Sequence, residues 1–331
     1  MLAPSSIMPT RPKTTVVGAG VIGLTSAIRL QEAGFPVRIV TRDRPANTTS
    51  AVAAAVWYPY EVRPKERVVP WSQATREALT PLAEDPSTGV STTTFVELFD
   101  TPVDDPWWKP AVPSFRRATG NDLKPGYVDG YVIDVPLMEP AVYLSYLERR
   151  FIDGGGTIDI VPDGIDDLRA LDVPLLVNCT GLGARTLCDD NALYPIRGQV
   201  VRVTNPGLSR GLDDDYGPLA LTYIIPRSND VILGGTAEKG VWDDTPTDET
   251  TDAILKRART LEPRLRDATV LDVRAGLRPG RDVVRLEMER TGDGRAVIHN
   301  YGHGGAGYTL AWGCADEVVA LVRSAVMPDS G

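Results

Sequence analysis

Lys13-Thr14-Thr15-Val16-Val17-Gly18-Ala19-Gly20-Val21-Ile22-Gly23 is a short apolar strand that runs into Gly-x-Gly-x-x-Gly and then into a helical pattern. Gly18 permits the tight turn off the strand, Gly20 lets backbone approach a pyrophosphate, and Gly23 lets the helix pack closely on the sheet. Amides at the start of that helix face the pyrophosphate with the positive end of the dipole behind them. Leu24, Ala27, Ile28 and Leu30 supply an apolar helix face, Gly34 stops it, and Val37-Arg38-Ile39-Val40 reads as the second strand. The pattern predicts a dinucleotide site. Thr41 stands where an acid usually meets the adenosine ribose, and Arg42-Asp43 follow it. Asp43 on the ribose and Arg42 on a phosphate both stay open at this point.

Composition narrows the class. The chain has 331 residues, 42% of them hydrophobic and 24% charged, which is ordinary for a globular protein with ample length for a core. A net charge of -9 argues against general affinity for nucleic acid or anionic membrane. Cys179, Cys188 and Cys314 are odd in number and widely spaced, which suits a reducing compartment and no disulfide framework. Residues 1–13, with three prolines among the first twelve, read as a disordered lead-in rather than a signal peptide or membrane span.

Further along, 140–151 reads as a helix closed by Gly154-Gly155-Gly156, and 157–161 as a strand. Leu175-Leu176-Val177-Asn178 reads as a buried parallel strand opening on small residues, the edge at which doubly wound sheets hold ligands. Residues 61–135 mix prolines, aromatics and short β-prone runs such as 93–99. From 198 to 235 the runs 199–203, 221–225 and 231–234 suggest an antiparallel sheet. Residues 248–261 and 309–326 read as helices. The expected fold is α/β (α+β). A discontinuous Rossmann-like domain takes 14–60, 138–197 and 270–327, and an interleaved antiparallel-sheet domain takes 61–137 and 198–269.

Three later segments bear on the chemistry: Thr222-Tyr223-Ile224-Ile225-Pro226, Gly276-Leu277-Arg278-Pro279, and the glycine-rich run from His299 to Gly307. With the N-terminal fingerprint, and with Arg197-Gly198-Gln199 and Leu233-Gly234-Gly235-Thr236, they make the chain resemble the D-amino-acid oxidase family, which includes D-aspartate oxidase. The resemblance runs from Thr15 to about Val322. It implies FAD as cofactor and oxidative deamination of D-amino acids by hydride transfer to flavin N5, with O2 giving hydrogen peroxide. It also implies a homodimer, with 61–137 and 198–269 binding substrate.

By the same resemblance, Arg278 grips the substrate carboxylate, Tyr223 adds a hydroxyl contact, and the Gly305 carbonyl accepts from the amino group. The flavin contacts carried over are Gly18, Ala19, Gly20, Val21, Ile22 and Gly23 at the pyrophosphate, with Arg42 and Asp43 at the adenosine. Thr48, Thr49 and Ser50 fall near the phosphates, and Ala54, Ala55 and Val56 near the isoalloxazine ring. Thr180 and Gly181 sit at the sheet edge. Gly304, Gly305, Gly307, Tyr308 and Thr309 surround the pyrimidine end. No metal is expected, since His299 and His303 are the only histidines and the glycines around His303 discourage an i,i+4 pair.

The chain also departs from the family. A second tyrosine, found on a lid in mammalian members, is replaced by Leu219. Tyr216 and Ala237 stand where D-aspartate oxidases add arginines. The expected substrates are therefore neutral D-amino acids, with basic ones accepted and acidic ones disfavoured, in a pocket including Trp57, Tyr58, Tyr216 and Leu219. The sequence ends without a Ser-Lys-Leu address, which suggests a cytoplasmic protein. The rivals are another amine oxidase of the same fold, such as a glycine or sarcosine oxidase, an NAD(P)-dependent dehydrogenase, and an inert flavin binder.

Overall fold

Residues 11–59, 61–171 and 173–326 are described by a computed structural model of the chain. The first half of the chain supplies β1 (Thr14–Val17), α1 (Val21–Glu32), β2 (Val37–Thr41), α2 (Lys65–Leu79), β3 (Val90–Phe99), β4 (Arg116–Arg117) and β5 (Asp129–Met138). Next come α3 (Pro140–Asp153), β6 (Thr157–Ile160), β7 (Leu175–Asn178), α4 (Ala184–Leu187), β8 (Tyr194–Thr204), β9 (Arg210–Asp214) and β10 (Thr222–Pro226). The chain continues through β11 (Asp230–Gly234), β12 (Glu238–Lys239), α5 (Asp248–Leu261), β13 (Val270–Gly280), β14 (Arg285–Arg290), β15 (Ala296–Tyr301) and α6 (Gly307–Val326).

The opening motif folds as its residues require. β1 lies between β2 and β7 in a six-stranded sheet of order β14-β15-β7-β1-β2-β6, parallel except for β14. Gly18 takes φ +103°, and a Cβ on Gly23 would stand 1.9 Å from the Gly18 carbonyl oxygen. Only glycines allow α1 to start that close to the turn. Leu24, Ala27, Ile28 and Leu30 are buried, and Gly34 ends the helix region at φ +84°. At the rear of the sheet, α6 runs beside α1 and α2. A Cβ on Gly313 would meet the Trp71 carbonyl at 2.2 Å, so this glycine is what lets α2 lie against α6. The Gly313 amide also donates to Thr75 Oγ1 at 3.0 Å.

The second sheet has nine strands, ordered β12-β8-β11-β10-β9-β3-β5-β4, with β13 on the other edge of β8. Alternation divides its side chains cleanly. Val96, Leu98, Val132, Val201, Val203, Leu212, Ile224 and Leu233 point to one face and form a core with Ile254, Leu255, Ala258 and Leu261 of α5. The opposite face turns Phe95, Glu97, Tyr131, Asp213, Tyr223 and Val200 towards a cavity shared with the six-stranded sheet.

Several expected elements differ in extent. Residues 65–79 form a 15-residue helix despite Pro70 inside it, and 129–138 form a full strand, neither of which the mixed composition of 61–135 signals. Residues 270–280, expected with the dinucleotide part, pair with β8 in the larger sheet, with Arg278 opposite Ile196. Thr49–Val52 forms a single 3-10 turn, and Ala55 takes φ +59°. Of the expected lead-in, residues 1–10 lie outside the described residues, as does the end at 327–331. Arg11 packs its guanidinium 4.9 Å over the Phe35 ring. Among the described residues no helix is long and apolar enough to cross a membrane.

Candidate active site

A cavity of about 1620 Å³ runs from the carboxyl ends of β1 and β7 to the inner face of the nine-stranded sheet. At the first end it meets Gly18, Ala19, Gly20, Val21 and Ile22, then Arg42, Asp43, Thr48, Thr49 and Ser50, then Ala54, Ala55 and Val56. Ser50 Oγ accepts from the Val21 amide at 3.0 Å and would lie 3.1 Å from a Cβ on Gly20. The start of α1 is therefore held open by small residues and hydroxyls. Thr180, Gly181, Gly304, Gly305, Gly307 and Tyr308 line the same space. A Cβ on Gly307 would be 4.0 Å from Val21, so the N-terminal ends of α1 and α6 converge on one wall, where their dipoles favour negative charge. Arg42 Nε donates to Asp43 at 2.8 Å, an exposed pair at the rim.

Two of the expected flavin contacts, Gly23 and Thr309, do not line the cavity. Gly23 is buried in the packing of α1, and Thr309 lies behind the cavity wall. Thr309 Oγ1 accepts from the Tyr58 amide at 3.0 Å and donates to the Tyr58 carbonyl at 2.9 Å. That hydroxyl fixes the backbone of Tyr58 rather than facing the cavity.

At the far end, strand register builds the site. Tyr131, Glu97, Asp213, Tyr223 and Gly234 stand opposite one another across β5, β3, β9, β10 and β11. Gly234 has no side chain because one would collide with Tyr223: its Cβ would come within 1.9 Å of the ring. Arg278 reaches in from β13 and donates through Nη1 to the Thr236 carbonyl at 2.9 Å. A Cβ on Gly198 would sit 2.4 Å from that guanidinium nitrogen, so Gly198 is the notch in which the arginine rests. Burial pushes the Tyr223 hydroxyl above its ordinary pKa, and the adjacent Arg278 offsets part of the rise. The phenol is neutral at physiological pH and available as a donor.

The pocket residues divide. Tyr58 lines the cavity and donates a short hydrogen bond to Glu97, and Tyr216 lies at the mouth with its hydroxyl 3.3 Å from Glu61. Trp57, expected beside them, is fully buried with its indole donating to the Ser72 carbonyl at 3.0 Å. Leu219 packs on the opposite face of the sheet, held there by its amide donating to Asp214 at 2.8 Å. Neither lines the cavity among the described residues.

Glu97, Asp213 and Asp215 are cavity residues outside every motif quoted from the sequence, and Asn300 and His303 of the glycine-rich run line the cavity without a role assigned from sequence. Burial lifts the Glu97 carboxyl to about 8 and holds the His303 imidazole down at about 3, and therefore neutral. The Asn300 Oδ1 and His303 Nε2 atoms are buried without a hydrogen-bond partner among the described residues. Orphaned polar atoms on a glycine-walled cavity fit a bound group that brings its own donors and acceptors.

Comparison with known proteins agrees with this geometry. A family model described as FAD dependent oxidoreductase matches residues 13–321. A D-amino-acid oxidase of Rubrobacter xylanophilus is 50% identical over 315 residues, covering 95% of this chain and 97% of the relative. A D-amino-acid oxidase of Streptomyces coelicolor is 41% identical, covering 93% and 96%. The chain belongs to the D-amino-acid oxidase family. Its fold is that of FAD-dependent oxidoreductases. Glycine oxidase from Geobacillus kaustophilus superposes with a TM-score of 0.81 at 19% identity, covering 95% of each chain. FAD is the cofactor, and the glycine cradle, the paired helix starts and the orphaned Asn300 and His303 atoms suit it.

Proposed function

We propose that the chain oxidises D-amino acids to imines that water hydrolyses to 2-oxo acids and ammonia, with O2 reduced to hydrogen peroxide. The observation that carries this reading is the pairing of Arg278 with Tyr223 at one end of a cavity whose other end is the dinucleotide cradle. A guanidinium in a fixed notch offers two parallel N–H donors to an α-carboxylate, and the Tyr223 hydroxyl supplies a third contact. The Gly305 carbonyl is assigned the substrate amino group, which orients the α-hydrogen towards the flavin position. FAD, when bound, supplies the hydride acceptor and passes the electrons to O2. The chain's own contribution is placement, which can supply roughly 7–11 kcal/mol of the barrier without an acid–base side chain at the α-carbon. Tyr58, fixed by Thr309, walls the side-chain region.

The cofactor contacts are assigned to residues 18–22, 42–43, 48–50, 54–56, 180–181, 304–305 and 307–308, with Gly23 and Thr309 supporting them from behind. The nine-stranded sheet is assigned to the substrate. A homodimer and a cytoplasmic location complete the proposal, resting on family resemblance and composition.

The test is hydrogen peroxide and 2-oxo acid formation from purified holoprotein given D-methionine, L-methionine, glycine or sarcosine. Product from D-methionine alone is the expected result. Turnover of glycine or sarcosine in preference to D-methionine would instead favour the amine-oxidase rival.

A further inference from the structure

Two carboxylates stand next to the proposed substrate carboxylate site. Asp213 is one strand beyond Tyr223 in the same cross-strand row, and Glu97 is one strand beyond Asp213. Strand spacing puts their backbones roughly 4.8 and 10 Å from that of Tyr223, on the face that lines the cavity. Asp213 is 4% exposed and Glu97 is 5% exposed. With Asp215, their oxygens lie within 4.8 Å of one another.

Burying acids this close is expensive, by several kcal/mol per ion, unless a cation or donors offset the cost. Tyr58 gives Glu97 one donor. Asp213 has no hydrogen bond or ion pair to its side chain among the described residues, although its neighbours Arg210 and Asp214 are both paired. A buried, unpartnered carboxylate aimed into a substrate cavity is a binding group waiting for its partner.

The walls identify that partner. Tyr58 and Trp108 pack edge to face at 5.2 Å, Trp108 and Tyr131 at 5.8 Å, and all three line the cavity beside Glu97. Aromatic walls next to carboxylates favour a flat, weakly hydrated cation, above all a guanidinium. We propose that Glu97 and Asp213 form the side-chain subsite for a cationic D-amino acid, with D-arginine ahead of D-lysine. This rests on the D-amino-acid reading above and adds the side chain to it. With the α-carboxylate on Arg278, a propyl-guanidinium group extends along the row from Tyr223 past Asp213 towards Glu97.

The test compares D-arginine with D-citrulline, which keeps the shape and replaces the guanidinium with a neutral urea. Measurements use the FAD-loaded protein, with D-methionine in parallel. The expected ratio of kcat/KM, D-arginine over D-citrulline, is about tenfold or more, and it falls by at least about tenfold in Asp213→Asn. Glu97→Gln, with FAD content checked by its spectrum, provides a second variant in which the ratio again falls. A ratio near one, or one unchanged in both variants, overturns the subsite. If D-methionine is still oxidised in that case, the D-amino-acid reading stands and only this inference fails. Oxidation of none of the three substrates overturns both.

Discussion

The two ends of the cavity are built by opposite means. At the six-stranded sheet, contacts fall to backbone and small residues: Gly18, Gly20, Ser50, Gly304 and the starts of two helices. Gly18 follows directly on β1, and Gly304 comes three residues after β15. At the nine-stranded sheet, contacts fall to large and charged side chains, Tyr131, Glu97, Asp213, Tyr223 and Arg278, brought together by strand register. The first arrangement rests mainly on backbone, small residues and a few short polar groups, Ser50, Asn300 and His303 among them, none of which lies on the nine-stranded sheet. The second can be retuned one strand position at a time.

That contrast can be broken by mutation at either end. The largest effect is expected from Gly23→Ala, whose Cβ would stand 1.9 Å from the Gly18 carbonyl. Backbone must move there, so FAD retention should fall more than a hundredfold, read by titrating apoprotein with FAD. FAD affinity equal to wild type would mean that the packing of α1 is not what shapes the cradle. At the other end, Gly198→Ala should push the Arg278 guanidinium out of its notch. KM for D-methionine should rise about tenfold to a hundredfold, the size expected when a charge-assisted pair is misplaced, with the flavin spectrum unchanged. An unchanged KM would show that Arg278 does not need the notch.

A pH series sharpens the same comparison. Glu97, lifted to about 8 by burial, faces Tyr58 from the segment before α2, Tyr131 from β5, Asp213 from β9 and Asp215 just past the end of β9. A carboxyl raised in this way is protonated below about 8 and pairs with a cation only once ionised. The D-arginine to D-citrulline ratio should therefore climb several-fold from pH 6.5 to 9, the shared α-amino titration cancelling. A flat ratio would remove Glu97 from side-chain recognition.

The smallest effect belongs to neither end. Glu262, held down at about 2 by Arg264 and Lys124 against an ordinary value of 4.5, contributes stability above pH 4.5 that is lost as pH falls towards 2. Glu262→Gln should lower stability at pH 7 by on the order of 2 kcal/mol. The difference in Tm should shrink as the pH approaches 3, with kcat untouched. A Tm gap that does not narrow with acid would assign the loss to packing instead of charge.

How much was legible in the sequence follows from the same division. The strand–turn–helix from Thr14 to Glu32, the stop at Gly34 and the helix Asp248–Leu261 are local patterns, and they fold where the residues place them. The motif around Tyr223 and Arg278 was legible through its resemblance to a family. Glu97 and Asp213 were not, because the parallel pairing of β3 with β9 joins segments more than a hundred residues apart and no local pattern encodes its register. α2 was hidden by Pro70, whose lost backbone donor the helix tolerates in its second turn while Trp71 and Thr75 bind α6. Trp57 and Leu219 belong to the expected pocket, Leu219 through its match to the family's lid tyrosine, yet neither lines the cavity. Their side chains face the other way, because Ser72 and Asp214 hold hydrogen-bonding groups of these two residues on the core side.

The most direct test of the two-ended cavity is anaerobic titration of FAD-loaded wild type and Arg278→Ala with D-methionine, followed by the flavin spectrum. Equal FAD content in both proteins is expected. The wild type should bleach with the D-enantiomer and not with L-methionine, and the variant should need more than a hundredfold higher concentration. Bleaching of the variant at wild-type concentrations, or loss of its FAD, would contradict the assignment of substrate and cofactor to separate sheets.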